Sequence, residues 1–264
     1  MTALQTLPFI GWRRRQWRLV ERHALAYRRM WYIFLSGIAE PLFFLLSIGI
    51  GVGELVGTLR IGEHVVDYRT FVAPGLLATT AMTGALLDTT FNFFVKMKYA
   101  HTYDAVLATP LGTRDVAVGE ITWALLRSAA YSAAFVLTMW AFGDLHSPWA
   151  VLCLPAAVLL AFAFAGAGLA CTTYMRTFID FDYVNMVMIP LFLFSATFFP
   201  IDRYPDWLAT IVRLTPLYQG VVLERSLVVG DMHWTMLLNA LYLAAMGWIG
   251  LRVATRRIGL LLQP

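Results

Sequence analysis

The sequence predicts an all-α, polytopic protein that crosses a membrane six times. Hydrophobic residues make up 59% of the 264 positions, charged residues make up 14%, and the mean hydropathy is +0.68. A chain of this composition has more apolar side chains than one soluble core can hold, so lipid must cover part of its surface. Apolar stretches long enough to span a bilayer occur at residues 31–56, 71–95, 116–142, 149–174, 183–199 and 234–253.

The distribution of positive charge predicts the orientation. Fourteen arginines and lysines lie in the N-terminal segment, the second and fourth loops and the C-terminal tail, and five lie in the intervening segments. Because basic loops remain in the cytoplasm, both termini are expected on that side of the cytoplasmic (inner or plasma) membrane. We expect one transmembrane domain over residues 1–264, with a cytoplasmic interfacial segment at 1–30, the six spans at 31–253 and a cytoplasmic tail at 254–264.

The N-terminal segment predicts an amphipathic helix on the cytoplasmic leaflet. One face carries apolar residues at spacings of three and four: Trp17, Val20, Ala24, Tyr27 and Trp31. The opposite face carries Arg15, Arg18, Arg22 and Arg29. A simple positive-inside anchor is the alternative. Since the basic residues cluster at membrane boundaries, the expected partners are anionic lipid headgroups and not nucleic acid.

Charged and polar residues inside the spans mark candidate pathway positions, because charge is costly in lipid. Asp88 and Asn92 lie four residues apart in the second span, and Arg127 lies in the third. We predict an ion pair between Asp88 and Arg127; the alternative is that each side chain reaches interfacial water alone. Glu40-Pro41 in the first span is a second position, since proline bends the helix and the carboxylate needs a partner or a wet cavity.

The loop at residues 96–114 predicts a short helix with an apolar and aromatic ridge. The ridge consists of Met97, Tyr99, Tyr103, Val106 and Leu107. Pro110 ends the helix, because proline cannot continue the hydrogen-bond ladder. Such a ridge on a cytoplasmic loop indicates a fit into a partner's groove, and an ordinary interfacial loop is the alternative.

The segment after the fifth span is interrupted. The apolar run at residues 186–199 stops at Pro200 and gives way to a half-polar stretch that extends to Arg225. Lipid tolerates broken backbone only where protein or a water-filled cavity covers it, so short re-entrant helices are predicted before the last span. The residues assigned to a pathway or its gate here are Ser195, Phe199, Pro200, Trp207 and Tyr218.

Several chemistries are excluded by missing motifs. Lys96 and Lys98 are the only lysines, and neither belongs to a Gly-x-x-x-x-Gly-Lys-Ser/Thr loop for ATP hydrolysis. The five histidines form no His-x-x-x-His pair, so no metal site is expected. Ser195 lies in no Gly-x-Ser-x-Gly elbow. We expect a transport protein that is not an enzyme and binds no cofactor of its own.

Motifs along nearly the whole chain resemble those of ABC-2 type transporter permeases. The second half carries Pro190-Leu191-Phe192-Leu193-Phe194-Ser195, Phe199-Pro200, Pro205-x-Trp207-Leu208 and Leu214-x-Pro216-Leu217. The first half carries Phe71-Val72-Ala73-Pro74-Gly75-Leu76, Asp88-x-x-Phe91, Thr102-Tyr103-Asp104-Ala105 and Ala108-Thr109-Pro110-Leu111. Their order is similar to the branch that holds nodulation-type lipo-oligosaccharide exporters and daunorubicin-type drug-efflux permeases. Many relatives have Arg-x-x-Gly-Thr where this chain reads Lys98-Tyr99-Ala100-His101-Thr102.

The resemblance implies the permease subunit of an ATP-driven ABC exporter that moves an amphipathic drug, lipid or glycolipid outward. Two permease subunits, identical or related, would join two ATPase subunits that bind ATP and magnesium. The loop helix would be the coupling helix, and the implied ATPase-coupling residues are Met97, Tyr99, His101, Thr102, Tyr103, Asp104, Val106, Leu107, Pro110, Arg15, Arg18 and Arg22. An intramembrane lipid-handling enzyme and an ion-coupled secondary transporter are the alternatives.

Overall fold

The computed structural model describes residues 17, 19–25, 32–61 and 64–262 and is mostly helical. Residues 19–25 form a short N-terminal helical segment. The elements that follow are α1 (Tyr32–Gly51), α2 (Gly53–Val56), β1 (Thr58–Ile61), β2 (His64–Asp67), α3 (Tyr68–Leu87), α4 (Thr102–Leu107), α5 (Thr113–Ala141), α6 (Cys153–Thr172), α7 (Asp180–Phe194), α8 (Asp206–Leu214), α9 (Pro216–Val229) and α10 (Thr235–Leu262). Helix α3 continues through two π-helical turns, Asp88–Asn92 and Val95–Tyr99, and 3₁₀ turns lie at Pro148–Leu152 and Ile201–Arg203.

Among the described residues, four helices are long and apolar enough to cross a membrane. They cover Tyr68–Tyr99, Thr113–Ala141, Pro148–Thr172 and Thr235–Leu261. These correspond to the predicted second, third, fourth and sixth spans. A shorter apolar helix covers Leu42–Val56. Helix α7 has 15 residues, which at ~1.5 Å per residue is less than the ~30 Å thickness of a bilayer core.

The all-α prediction missed a β-hairpin between α2 and α3. Strands β1 and β2 are antiparallel, with Thr58 opposite Asp67 and Ile61 opposite His64. The chain enters the hairpin through Gly57, whose positive φ of 71° suits glycine. Val66 is buried against the helices. Four-residue strands are too short to give a clear alternating pattern in the sequence, so this element was not predicted.

Helix α6 lies among α3, α5, α9 and α10. Its closest approach is to α10, where small residues allow the two backbones to touch. A Cβ atom added to Gly166 would overlap the Gly247 carbonyl, and one added to Gly250 would overlap the Gly166 backbone. Close helix packing through small residues is typical of membrane proteins, because lipid provides no hydrophobic force between helices.

Gly166→Ala is expected to destabilise the protein by about 1–3 kcal/mol, because the methyl group would force α6 and α10 apart. The matched control is Gly51→Ala, since a Cβ atom at Gly51 has nothing within 4 Å. The thermal unfolding midpoint of each purified variant in detergent measures the effect. Equal midpoints for the two variants would contradict the close contact.

Helices α3 and α5 are antiparallel and are joined by ion pairs at three levels along their length. The pairs join Arg69 Nε to Asp144 Oδ1 at 2.9 Å, Arg127 Nη1 to Asp88 Oδ1 at 2.5 Å, and Lys96 Nζ to Glu120 Oε2 at 2.8 Å. The first pair lies at the end of the bundle where α3 begins and α5 has just ended. The third lies at the opposite end, next to α4. Because each pair joins the same two helices, α3 and α5 are held in one register.

Helices α8 and α9 form a hairpin that contacts α10 and the segment after α5. The Tyr242 hydroxyl of α10 donates to the Leu214 carbonyl at 3.0 Å, and the far end of α9 accepts a bond from His146 N to the Val228 carbonyl at 3.2 Å. Two short helices thus lie before the last long helix, where short re-entrant helices were predicted. Arg225 is one of the five basic residues that the sequence analysis assigned to the intervening segments. It is instead buried, and it donates to the carbonyls of Phe71 and Ala196.

Candidate coupling site and transport cavity

A buried carboxylate on α5 joins three separate parts of the chain. Glu120 is only 3% exposed. Its Oε1 accepts a hydrogen bond from the Tyr103 hydroxyl of α4 at 2.7 Å and lies 2.9 Å from His23 Nε2 in the N-terminal segment. Its Oε2 accepts from Lys96 Nζ at 2.8 Å. We call these four residues the Glu120 cluster.

The cluster satisfies its buried charge internally. A buried carboxylate is stable only when cations and hydrogen-bond donors surround it, and Lys96, Tyr103 and His23 supply these groups. Burial, with the neighbouring Glu120 carboxylate, raises the pKa of Tyr103 well above its usual value, so its hydroxyl remains a proton donor. The Tyr103 ring also packs on Phe93, with ring centroids 5.1 Å apart. Helix α4 is therefore fixed to α3 and α5.

The direction of the ridge on the loop helix was predicted wrongly. Met97, Tyr103 and Val106 are buried within the chain, and Leu107 packs against the same core. Glu120 offers the Tyr103 hydroxyl an internal partner, so the ridge turns inward. Tyr99 stays 58% exposed and stacks on Phe178 at 4.8 Å.

The exposed face of α4, taken together with the residues that flank the helix, carries small or polar side chains. Its residues are His101, Asp104, Ala105, Ala108, Thr109 and Pro110, with Thr102 half-buried beside them. His101 adopts a left-handed backbone with φ of 46°, and its Nδ1 lies 3.0 Å from Asp104 Oδ2. A partner that contacts α4 must therefore contact this face.

The N-terminal segment packs on α5, a contact that was not predicted. Leu19, Val20 and His23 are buried, and Leu19 lies against Gly119 of α5. Trp17 is 53% exposed and Ala24 is exposed as well, so the protein does not cover these two residues of the predicted apolar face. The predicted face assumed lipid beneath the helix, whereas the buried residues pack on α5. Of the three arginines predicted at the coupling site, Arg22 is exposed, and Arg15 and Arg18 lie outside the described residues.

The predicted pair between Asp88 and Arg127 is present. The two side chains are 4% and 6% exposed, and Arg127 Nη1 lies 2.5 Å from Asp88 Oδ1. Asn92 donates to the same carboxylate oxygen at 2.7 Å, and Arg127 Nε donates to the Tyr131 hydroxyl at 2.8 Å. Asp88 and Asn92 belong to a π-helical turn, a feature that often marks functional sites in helices.

A cavity of about 310 Å³, the first cavity, adjoins this pair. It lies between α1, α3, α5 and α7, and residues that line it include Phe44, Leu76, Thr80, Arg127, Tyr131, Asn185, Met188 and Phe192. Its size falls at the lower end of the range for small-molecule sites, about 300–1,000 Å³. The wall is mostly apolar, and Arg127, Tyr131 and Asn185 add polar groups. Such a cavity suits an amphipathic molecule.

Residues 15–229 match the ABC-2 type transporter family. The chain belongs to this family. It is 33% identical to Nodulation protein J of Rhizobium leguminosarum bv. trifolii over 81% of its own length and 80% of that protein. It is 28% identical to Nodulation protein J of Rhizobium meliloti (strain 1021), over 85% and 84% of the two chains. It is also 25% identical to the probable multidrug ABC transporter permease YbhR of Escherichia coli (strain K12), over 67% of this chain and 48% of that protein.

Family membership decides between the alternatives that the sequence left open. An ABC-2 permease is an integral membrane transport subunit that works with ABC ATPase subunits and is not itself an enzyme. The intramembrane enzyme and the ion-coupled secondary transporter are therefore rejected. Among the described residues, no group of three or more His, Cys, Asp or Glu side chains could hold a metal ion.

The structure does not bring the other predicted pathway residues of this permease to the first cavity. Ser195 is fully buried and bonds to Thr197 Oγ1 at 2.8 Å, while Phe199 and Trp207 are 57% and 67% exposed. Pro200 and Tyr218 are half-buried, and none of these five is among the described residues that line the cavity. Glu40 and Pro41 lie in α1, but their side chains are outside the described part. Their role in a pathway stays a prediction.

Four residues of the site were not predicted from the sequence: Glu120, Lys96, His23 and Tyr131. Glu120 carried a usable signal, because a carboxylate within a predicted span must find a partner. Tyr131 follows Arg127 by four residues, the spacing that brings two side chains together on one helix face. His23 and Lys96 gave no such signal, since each looks like an ordinary interfacial residue in the sequence.

Proposed function

We propose that this ABC-2 permease is the membrane subunit of an exporter that moves an amphipathic substrate outward across the cytoplasmic membrane. The substrate class is a drug, lipid or glycolipid, as the apolar first cavity with its Arg127 guanidinium favours. The relative named as a probable multidrug ABC transporter permease is in keeping with the drug part of this range. Two copies of this chain, or this chain and a related one, join two ATPase subunits that bind ATP and magnesium.

The proposed topology has six spans within a single domain at residues 1–264. Helices α1 and α7 supply the two spans beyond the four long apolar helices, with the chain after α7 completing the fifth. Both termini lie in the cytoplasm, because Lys96, Lys98, Arg176 and the arginines at the end of α10 then share that side. The α8–α9 hairpin enters from the outer side as a re-entrant pair and caps the pathway.

The Glu120 cluster carries the proposal, because it links the loop helix to the spans. Closure of the ATPase subunits on ATP displaces α4 through its exposed face. Tyr103 passes this displacement to Glu120 of α5, and Lys96 and His23 pass it to α3 and the N-terminal segment. Since Asp88 and Arg127 join the same two helices beside the first cavity, the movement reaches the substrate.

Each of Ala105→Arg and Ala108→Arg is expected to reduce co-purification of the ATPase by at least about tenfold, because a bulky charge would enter the proposed contact face. The experiment is a pull-down of the tagged, detergent-solubilised chain from its own membrane. Tyr103→Phe should retain the ATPase, since its ring is buried and makes no outward contact.

Thr58→Arg is the matched control, because Thr58 is exposed in the hairpin at the other end of α3. Retention of the ATPase by both Ala105→Arg and Ala108→Arg would reject the α4 contact face. Absence of any ATPase with the unaltered chain, while the control also purifies alone, would reject the proposed assembly under these conditions.

A further inference from the structure

Helix α7 is separated from the bundle along most of its length. All of its residues are described, and none of them is buried. Its ends are anchored: Phe181 packs on Phe94 at 5.2 Å, and Phe192 packs on Phe44 of α1 at 6.0 Å. Between these ends, cavities lie on both sides of the helix, and Met188 lines both of them.

The second cavity has a volume of about 940 Å³ and lies between α7, α3, α6 and α10. Most of its wall is apolar, with Leu86, Phe164, Val187, Leu191 and Met246 among the lining residues. Asp180 and Leu191 both line it, and because they lie eleven residues apart in sequence, the cavity spans ~16 Å of helix. This length is about half of the ~30 Å hydrocarbon core, so the cavity extends over one leaflet.

The mouth of the second cavity is basic. Tyr174 and Arg176 line it, and the guanidinium of Arg257 lies 4.3 Å above the Tyr174 ring. In the part of the chain that the structure describes, neither arginine forms an ion pair, and the buried Nε of Arg257 has no hydrogen-bond partner. Two arginines at the end of the bundle therefore lie beside an apolar space without an ion pair to any described residue.

The nearby carboxylate is engaged by the backbone. Asp180 Oδ2 accepts hydrogen bonds from the backbone nitrogens of Arg176 and Thr177, at 2.6 and 3.0 Å. This carboxylate closes the turn before α7, and although it attracts the Arg176 guanidinium electrostatically, the two side chains form no ion pair. A bound anion would therefore add charge-assisted hydrogen bonds to both guanidinium groups.

We propose that the second cavity binds an anionic membrane phospholipid, with one acyl chain against α7 and its phosphate between Arg176 and Arg257. Basic pockets between transmembrane helices bind anionic lipid headgroups in this way. The apolar depth selects a lipid over a free phosphate, since a small anion would leave the wall uncovered. The bound lipid fills the space beside α7 and is a resident component of the permease, so this inference goes beyond the transported substrate and does not depend on it.

Lipid binding to the purified permease in detergent tests the headgroup contact. Native mass spectrometry would follow titrations of phosphatidylglycerol and of phosphatidylcholine with identical acyl chains. We expect tighter binding of phosphatidylglycerol and a loss of about fivefold for each of Arg176→Gln and Arg257→Gln. Arg256→Gln is the control, because Arg256 is exposed on the same helix. Equal binding of both lipids, or an equal loss in the control, would overturn the proposal.

A second pair of variants tests the apolar depth without altering charge. Val187→Trp should reduce binding of both lipids, because Val187 lines the second cavity, whereas Met186→Trp should not, because Met186 is exposed outside it. Equal binding to these two variants would place the acyl chain elsewhere. A labelled phosphatidylglycerol that the reconstituted, ATP-supplied transporter moves to the other leaflet would be cargo, which would also overturn the resident role.

Discussion

Arg127→Leu is expected to lower the free energy of unfolding by about 3–5 kcal/mol, because it leaves the Asp88 carboxylate buried without its cation. Asp88→Leu should cost a similar amount, since the guanidinium then loses its counter-charge at the same depth. Replacing both residues with leucine should recover much of the loss, because no unpaired charge remains. Unfolding in mixed detergent micelles, followed by tryptophan fluorescence, measures all three variants.

The double-mutant cycle distinguishes an ion pair from two independent side chains. If Asp88 and Arg127 interact as the structure shows, the double variant will be several kcal/mol more stable than the sum of the single effects predicts. Strict additivity would mean that each side chain is satisfied separately. Asp182→Leu provides a control, because Asp182 is exposed and its loss should change stability by less than about 0.5 kcal/mol.

The Asp88–Arg127 pair could be predicted from the sequence because a charged side chain within lipid is costly and few environments lower that cost. Each residue lies in a long apolar segment, and pairing with a neighbouring span is one of few ways to offset its burial. The four long helices were predictable for the same reason, since a run of about 20 apolar residues has few other stable environments. Where a segment must lie in lipid, its composition therefore restricts the structures that it can form.

Contacts between distant parts of the chain could not be predicted from the sequence in this way. The ridge of α4 contained aromatic residues that fit a partner's groove and this protein's own core equally well. Its direction is decided by Glu120, 17 residues after Tyr103, and its neighbours come from α3 and the N-terminal segment. The packed face of residues 19–25 depends likewise on Gly119, which leaves room for Leu19.

The ion pairs along α3 and α5 contrast with the open surroundings of α7. Three pairs hold α3 and α5 in one register, whereas α7 is anchored by aromatic contacts near its two ends. Packed helices with charged contacts move as a unit, and a helix bordered by cavities can shift with little loss of packing. We therefore expect α7 to change position during transport while α3 and α5 move together.

Glu120→Ala is expected to reduce the substrate transported per ATP hydrolysed by roughly 5–150-fold, the range of typical coupling free energies between sites. The substitution removes the acceptor for Tyr103, Lys96 and His23 at once, so α4 loses its buried connection to the spans. Because the exposed face of α4 is unchanged, the ATPase should still bind. The measurement compares transport and ATP hydrolysis in the same reconstituted complex.

Two further variants show whether such a loss arises from coupling. Tyr103→Phe removes one of the three contacts with Glu120 and should give a smaller loss, equivalent to about 1 kcal/mol. Glu54→Ala removes an exposed carboxylate near the β-hairpin and should leave the ratio unchanged. If Glu120→Ala assembles with the ATPase and transports with an unchanged ratio, the connection through Glu120 does not transmit the movement, and the exposed Tyr99 stacked on Phe178 becomes the route to examine.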